Sequence, residues 1–226
     1  MAINTYTITA AVLKHLNAVA GSTYDKTVTQ TSLDPKYNLT WVQDTCRAAI
    51  NEFLAVVASV KDHPDQLVLS TEDGIASART SGADIDGIAK IGEFLSCRVT
   101  YVSLAGDADT DYYPAMWLPA ERVRQHIADV ALFSLTTPWY VYSIQAGRLY
   151  HPGTGALLRY IAPYTGDGDL DTSINRYHNG IVALALAMLL PFMGVTDTAA
   201  QFYGELAFKV KQEIAAARES SPVPMG

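Results

Sequence analysis

Residues 40–57, TWVQDTCRAAINEFLAVV, carry apolar side chains at the spacing of an amphipathic helix. These side chains recur every three or four residues and therefore share one helix face: Val42, Cys46, Ile50, Phe53, Leu54 and Val57. Thr40 and Gln43 match the reciprocal capping box, so the helix is predicted to begin at Thr40. It is predicted to end at His63, Pro64 and Asp65, because proline lacks a backbone donor and restricts the residue before it.

Helical spacing also marks both ends of the chain. A first helix is predicted from Thr9 to Val19, with Gly21 as its stop. Near the C-terminus, the nearly all-apolar stretch Ile174–Leu190 predicts a helix surrounded by protein, either other helices or other subunits. After a break at 191–194, a last helix is predicted to run to about Arg218. Its apolar face is predicted to carry Phe202, Leu206, Val210 and Ile214.

Between Leu67 and Pro163 the pattern changes to short runs rich in β-branched and aromatic residues. The runs lie at residues 67–69, 97–102, 139–144, 148–150 and 157–161. They predict a small antiparallel sheet, with Gln145–Gly147 as a hairpin loop because glycine permits a positive φ. A short helix is predicted over Glu121–Ala131.

This order of helices, strands and helices predicts an α+β, mainly helical fold class. We expect one domain over residues 1–226. In it, a bundle of N- and C-terminal helices, residues 1–63 and 172–226, carries an inserted small antiparallel β-rich lobe, residues 64–171.

The composition argues against several classes of partner. The chain has 226 residues, of which 49% are hydrophobic, and a formal net charge of -7. It has no run of basic residues, so tight binding to nucleic acid or to an anionic membrane surface is not expected. The longest apolar run, Ile181–Met193, is shorter than the roughly 20 residues that span a bilayer. The N-terminus does not resemble a signal peptide, so secretion is not expected.

No residue pattern predicts a catalytic, cofactor or metal site. The loop with Asp167, Asp169 and Asp171 imitates an EF-hand but has Thr172 where glycine is needed and His178 where a glutamate is needed. Cys46 and Cys97 are predicted to be buried thiols, and the histidines lack metal-ligand spacing. We therefore expect no enzyme activity. A carboxylate pair stays open as an alternative, because sequence does not show distances; its candidates are Glu52, Glu93, Glu121 and Glu205.

Aromatic residues are concentrated in and just after the β-rich region. They are Tyr112, Tyr113, Trp117, Trp139, Tyr140, Tyr142, Tyr150, Tyr160 and Tyr164. Two interpretations stay open. The rings can form a surface that binds protein or sugar, or they can pack across strands in a thin sheet.

Several segments occur in an order that resembles the head-to-tail adaptor proteins of tailed bacteriophages, also called connector or head-completion proteins. The segments are Ile50–Leu54, Pro138–Tyr142, Gly147–Tyr150, Pro152 and Arg159–Pro163, followed by the two C-terminal helices. In such adaptors a similar series forms a hairpin, a strand and a final helix pair. Residues 70–93 have no counterpart in the family pattern.

The resemblance implies a structural virion protein at the neck, assembled in the host cytoplasm. It implies a homo-oligomeric ring of about twelve subunits beneath the portal protein, with tail or nozzle proteins below. DNA would pass through its channel without specific binding, and no cofactor or membrane is implied. The apolar helix Ile181–Leu190 is expected to supply surface to neighbouring subunits. By analogy, portal binding is assigned to Phe208, Ile214, Pro222, Val223 and Met225.

Two alternatives remain. One is another neck or tail-completion protein of a virion. The other is an aromatic-rich carbohydrate-binding module or a hydrolase.

Overall fold

The structure is a computed structural model and describes residues 2–16, 37–60, 63–76, 82–85, 98–105, 112–132, 140–153, 155–166, 168–194 and 198–216. The chain divides into two compact units. Residues 1–69 and 163–226 form one, here called the helical unit, and residues 70–162 form the other, here called the β unit. The predicted α+β, mainly helical fold class is confirmed. The β unit begins later and ends earlier than the predicted lobe of residues 64–171.

The described part of the chain contains these α-helices: α1 Thr5–His15, α2 Leu39–Ser59, α3 Gln66–Leu69, α4 Ala120–Leu132, α5 His178–Phe192 and α6 Thr198–Ala216. A 3₁₀ helix, Thr172–Tyr177, leads directly into α5. The helix predicted over Ile174–Leu190 therefore starts as the tighter 3₁₀ form, and Pro191 lies within its last turn instead of breaking it. None of the helices in these described segments is long and apolar enough to cross a membrane.

Helices α2 and α5 are antiparallel. The ring of Trp41, near the start of α2, lies 6.3 Å from that of Phe192, the last residue of α5. Further along α2, the ring of Phe53 lies 5.1 Å from that of Tyr177, which immediately precedes α5. The two contacts lie at opposite ends of α5, so the helices run in opposite directions.

Helix α6 is antiparallel to both α5 and α1. Gly180, in the first turn of α5, approaches Val210, in the second half of α6. The ring of His15, the last residue of α1, lies 6.1 Å from that of Tyr203 near the start of α6. The four long helices of this unit thus alternate in direction, as in an up-and-down bundle.

Helix α5 lies at the centre of the helical unit. Its six consecutive residues Ile181–Leu186 are all buried. Because an α-helix has 3.6 residues per turn, six buried residues in a row cover its whole circumference. The prediction that this helix is surrounded by protein is confirmed, and its neighbours are α1, α2 and α6 of the same chain. The expectation that Ile181–Leu190 supplies apolar surface to other subunits is wrong.

Helix α1 begins earlier than predicted. Asn4 is its N-cap, and the Asn4 side chain accepts a hydrogen bond from the Thr7 backbone N–H at 2.8 Å. The Thr7 hydroxyl in turn accepts from the Asn4 backbone N–H at 3.2 Å, which completes a capping box. Thr9, the predicted start, is buried within the helix. The predicted end at Val19 and Gly21 lies outside the described residues.

Helix α2 also begins at a different cap and ends sooner than predicted. The Asn38 side chain accepts from the Trp41 backbone N–H at 3.1 Å, so Asn38 takes the capping role predicted for Thr40. The helix ends at Ser59, before His63.

Residues 67–69, predicted as a strand, belong to the short helix α3. The backbone N–H groups of Val68 and Leu69 both donate to the Asp65 carbonyl, at 3.2 and 3.0 Å. The Gln66 side-chain amide donates to the carbonyls of Val57 at 2.9 Å and Val60 at 2.6 Å. These contacts bind the segment to the end of α2, which a strand pattern cannot predict.

The β unit contains two four-stranded sheets where one small sheet was predicted. The strands are β1 Thr71–Ala76, β2 Ala83–Asp84, β3 Arg98–Ala105, β4 Tyr112–Pro114, β5 Met116–Trp117, β6 Val141–Gln145, β7 Arg148–Tyr150 and β8 Gly155–Ile161. The first sheet has the order β1-β8-β3-β4 and the second the order β2-β7-β6-β5. Only the β5–β6 pair is parallel among these described pairs.

The segment β4–β5 connects the two sheets. The Ala115 backbone N–H donates to Val102 in β3 at 2.9 Å, whereas the next N–H, of Met116, donates to Tyr140 beside β6 at 2.8 Å. Buried side chains from both sheets form one core cluster: Ala83, Ile85, Val102, Leu104, Leu149, Ala156 and Leu158. Helix α4 covers a second, smaller cluster of Val123, Val141 and Tyr150.

The hairpin between β6 and β7 is confirmed. Gln145 pairs with Arg148, which leaves a two-residue loop. Ala146 and Gly147 have φ angles of 49° and 69°, the left-handed values that a type I′ turn requires at both central positions. The short helix predicted over Glu121–Ala131 is confirmed as α4.

Candidate functional site

A buried carboxylate joins α3 to the start of α5. Both oxygens of Asp65 accept from Nη2 of Arg176, at 2.6 and 2.7 Å, and the Tyr177 hydroxyl donates to Oδ2 at 2.9 Å. Burial raises the pKa of Tyr177, so its hydroxyl stays protonated and can donate. Asp65 is buried while Arg176 is half exposed, and the pair satisfies a charge that would otherwise be buried alone. The role of this cluster is structural.

His63 is hydrogen-bonded through both ring nitrogens. Nδ1 accepts from the Asp65 backbone N–H at 3.1 Å, so the proton lies on Nε2. Nε2 donates to the Ile214 carbonyl at 2.9 Å and so joins α6 to the segment after α2. With both nitrogens engaged and the side chain buried, His63 has neither a free lone pair for a metal nor access to a substrate.

Asn51 pairs with the backbone of Tyr164 through both ends of its amide. The Tyr164 N–H donates to Asn51 Oδ1 at 2.8 Å, and Asn51 Nδ2 donates to the Tyr164 carbonyl at 2.9 Å. Asn51 lies in the segment Ile50–Leu54 that contributes to the adaptor resemblance. In this structure it holds the segment that follows the β unit against α2.

The described carboxylates of the acidic loop before the 3₁₀ helix accept hydrogen bonds from other parts of the helical unit. Asp169 accepts from the Asn4 side-chain amide. Asp171 caps the 3₁₀ helix and accepts from the Ser173 N–H at 2.8 Å, a bond that lowers the pKa of Asp171. Asp167 lies outside the described residues. Within the described ranges, no three His, Cys, Asp or Glu side chains are grouped as metal ligands.

The remaining candidates for a catalytic role are four glutamates and two cysteines. Glu52 forms an ion pair with Lys211 at 2.6 Å, Glu121 and Glu205 are exposed, and Glu93 lies outside the described residues. Cys46 is buried, and this burial raises the pKa of its thiol to about 12, so it stays a protonated, packed side chain. Cys97 also lies outside the described residues.

A crevice of about 250 Å³ lies between the start of α5 and the second half of α6. It is lined by Arg176, Tyr177, Asn179, Gly180, Leu206, Val210, Glu213 and Ile214. The Arg176 guanidinium is already paired with Asp65, and Glu213 faces the same space, so the crevice is poorly suited to an anionic ligand.

Two of the residues predicted to bind a portal protein are described by the structure, and they differ in exposure. Phe208 is 62% exposed on α6, whereas Ile214 is fully buried and cannot reach a partner. We therefore remove Ile214 from this set. Pro222, Val223 and Met225 lie outside the described residues.

The aromatic set divides between packing and exposure. Tyr150 and Tyr164 are buried, and Tyr140, Tyr142 and Tyr160 are partly buried. In contrast, Tyr112, Tyr113 and Trp117 are exposed on β4 and β5. Trp139 lies outside the described residues. The packing interpretation is confirmed for the buried and partly buried rings, whereas a binding role of the exposed rings stays a prediction.

Two exposed surfaces carry large apolar side chains. The first is on α6, where Phe202, Glu205 and Phe208 are exposed. The second is on β5, where Met116 and Trp117 are exposed.

Phe208 and Trp117 were among the residues predicted to make contacts, but Phe202 was not. Phe202 was predicted on the buried face of the last helix because it lies four residues before Leu206. It is instead 58% exposed, at the margin of that face. The available signal was the spacing of Phe202, Glu205 and Phe208, which places a charged residue between two large apolar ones.

No protein-family model matches this chain, and no curated protein sequence matches it.

Proposed function

We propose that this protein is a structural head-to-tail adaptor of a tailed bacteriophage, which forms a ring beneath the portal and connects it to tail proteins. The support is the order of the resembling segments together with the architecture. A helical unit built from both ends of the chain carries an inserted β unit, as the resemblance implies.

The observation that carries the proposal is the exposure of two phenylalanines on α6. Phe202 and Phe208 are 58% and 62% exposed, although the core beneath them is closed around α5. Large apolar side chains held on the outside of a regular helix favour contact with another protein. A protein that acts by assembly needs such surfaces.

The polar residues that resemble catalytic groups are engaged in structural contacts, which supports a non-catalytic role. Asp65 is bound to Arg176, His63 to Ile214 and Glu52 to Lys211. A formal net charge of -7 is also compatible with a channel through which DNA passes without binding.

The test is co-sedimentation of the protein with particles of its parent virus, followed by imaging of the unique vertex. We expect the protein between portal and tail, as a ring. Its absence from purified particles would overturn the proposal. A related neck or tail-completion role is distinguished by retention on purified tail tube instead of portal.

We further propose that the C-terminal segment 220–226, with Pro222, Val223 and Met225, contacts the portal. Deletion of residues 220–226 is expected to reduce retention on immobilised portal protein. Replacement of the same seven positions by glycine and serine is the matched control, because it keeps the length of the chain. Unchanged retention in both variants would contradict this assignment.

The exposed rings of the β unit favour one second candidate, a carbohydrate-binding module. The Tyr113 ring stacks on that of Tyr140 at 4.6 Å, and Tyr112 and Trp117 are exposed nearby along the same segment. Aromatic faces of this kind bind sugars as well as proteins. Specific retention on a glycan array, lost in Trp117→Ala, would favour this candidate over the adaptor.

A further inference from the structure

Two buried polar atoms at the start of α5 have no hydrogen-bond partner among the residues that the structure describes. They are Oδ1 of Asn175, in the 3₁₀ helix, and Nε2 of His178, the first residue of α5. His178 is only 8% exposed. In folded proteins roughly 90% or more of buried polar groups are hydrogen-bonded, to protein or to ordered water. Two such atoms within one turn therefore indicate a shared partner.

The two side chains lie on the same face of this turn. The His178 backbone N–H donates to the Asn175 carbonyl, which is the hydrogen bond of a 3₁₀ turn. Side chains three residues apart eclipse each other in a 3₁₀ helix. Helical side chains also lean toward the N-terminus of their helix, so the imidazole of His178 lies over the turn that carries Asn175.

Both atoms are hydrogen-bond acceptors at neutral pH. Nδ1 of His178 lies 3.5 Å from Oδ1 of Asn179, which can only accept, so Nδ1 carries the ring proton and Nε2 keeps its lone pair. Burial lowers the pKa of His178, which favours this neutral ring. Oδ1 of Asn175 is a carbonyl oxygen and also accepts only. Because two acceptors cannot bond to each other, their partner has to supply two donors.

We propose that one buried water molecule binds at this turn and donates its two hydrogens to Nε2 of His178 and Oδ1 of Asn175. Water is the smallest molecule with two donors, and a buried water has about two to four polar partners. The residues between the two acceptors, Arg176 and Tyr177, both bind Asp65. The water therefore stabilises the turn that presents these two side chains to Asp65. The site does not depend on the proposed adaptor role.

A high-resolution crystal structure of the full chain tests the site directly. We expect one water whose oxygen lies about 2.7–3.2 Å from both Nε2 of His178 and Oδ1 of Asn175. A direct hydrogen bond between the two side chains, or no density between them, would overturn the proposal. Density about 2.0–2.1 Å from Nε2 would also overturn it, because that distance indicates zinc instead of water.

The protonation of the His178 ring is a second observable in solution. The ¹⁵N chemical shifts of its two ring nitrogens, measured at neutral pH, are expected to place the proton on Nδ1. A proton on Nε2 would remove the second acceptor and would contradict the two-acceptor argument.

Two variants and their combination distinguish one shared water from two separate ones. Relaxation dispersion of water ¹⁷O counts the waters that stay buried in the protein for long times. Asn175→Leu and His178→Phe each remove one acceptor, and each is expected to lose one long-lived water. Because the water is shared, the double variant is expected to lose the same single water. A loss of two waters in the double variant, or of none in both single variants, would overturn the bridge.

Gln201→Leu is the matched control, because it replaces an exposed side-chain amide on α6 with the same leucine. Its count of long-lived waters should equal that of the unchanged chain. Hydrogen exchange of the α5 amides shows whether each variant keeps the fold. If a variant does not fold, the crystal structure and the ¹⁵N shifts of the unchanged chain still decide whether the water is present.

Discussion

The helical unit and the β unit are both held together by contacts between segments that are far apart in sequence, but these contacts are of different kinds. In the helical unit, buried polar pairs join segments that are far apart in sequence, such as Asn51 with Tyr164 and Asp65 with Arg176. In the β unit, backbone pairing joins distant segments: β8 pairs with both β1 and β3, and β2 pairs with β7. The β6–β7 hairpin, which turns at Ala146 and Gly147, is a local pair.

This difference shows where each unit is vulnerable. Removal of one side chain from the helical unit breaks contacts between distant segments at once, because α5 is surrounded by the other three long helices. In the β unit, the backbone hydrogen bonds between paired strands do not depend on a single side chain, so the same loss affects mainly the neighbouring strands.

Phe53→Ala is expected to lower the free energy of unfolding by about 3–5 kcal/mol, the usual range for a buried phenylalanine. Phe53 is fully buried in α2 and contacts Tyr177. Denaturant unfolding measures the change. Phe208→Ala, at an exposed site, is the control and should stay within about 0.5 kcal/mol.

Hydrogen exchange on the Phe53→Ala variant measures where in the chain stability is lost. Amides of α5 should lose protection, while the paired strands β3 and β8 should keep theirs. Equal loss of amide protection in both units would contradict the expected difference between them.

Asn51→Ala should leave the buried N–H and carbonyl of Tyr164 without their partner. Each buried group left unpaired costs about 1–3 kcal/mol, so the total loss is expected at roughly 2 kcal/mol or more. Asn51→Asp places a carboxylate against the Tyr164 carbonyl in a buried site, so it should be at least as destabilising as Asn51→Ala. Thermal unfolding of the three proteins decides this order, and a neutral Asn51→Ala would contradict a role for long-range polar pairs.

Gly180→Ala is expected to destabilise the protein by roughly 1–3 kcal/mol through overpacking. A Cβ at Gly180 would lie 2.7 Å from Val210 Cγ1, at the α5–α6 contact. Gly204→Ala is the matched control: nothing lies within 4 Å of its Cβ position, so it should gain about 0.5–1 kcal/mol from helix propensity.

The double variant Gly180→Ala with Val210→Ala removes the methyl groups that clash. It should recover part of the loss caused by Gly180→Ala alone. If Gly180→Ala proves as favourable as Gly204→Ala, the close approach of α5 and α6 is not a determinant of stability.

The smallest expected effect is a pH dependence at His178. Burial lowers the pKa of His178 from its ordinary value of 6.5. Below pH 6.5 the unfolded chain therefore binds a proton that the folded chain does not, and stability falls until the lower folded pKa is reached. The loss cannot exceed about 1.4 kcal/mol per pH unit. Denaturant unfolding between pH 7 and pH 5 should show a flatter profile for His178→Gln, and identical profiles would contradict the prediction.

The elements that sequence predicts well are those in which local pattern and tertiary environment agree. The apolar spacing of 40–57 and the uniformly apolar run 181–190 identified α2 and α5. Such residues are buried whichever neighbouring element covers them. The β6–β7 hairpin was predicted from Gly147, whose left-handed φ is a local requirement. These features need no knowledge of distant contacts.

Features that depend on a choice between similar residues were missed. Asn4, Thr7 and Thr9 can all accept a capping hydrogen bond, and only the structure shows that Asn4 and Thr7 form the reciprocal pair. The second sheet was missed because it depends on Ala115 and Met116 bonding to different strands. At the candidate site, helical spacing grouped Phe202 with Ile214, although one is exposed and the other buried.

The helical unit is discontinuous in sequence, and this has a consequence for the order of events during synthesis. Helices α1 and α2 leave the ribosome well before α5, the helix they must surround. The β unit, which is continuous over residues 70–162, can fold while α5 is still being made. Once folded, it shortens the effective loop between α2 and α5 and lowers the entropic cost of bringing them together. The inserted unit thus acts as a folding aid for the unit that carries it.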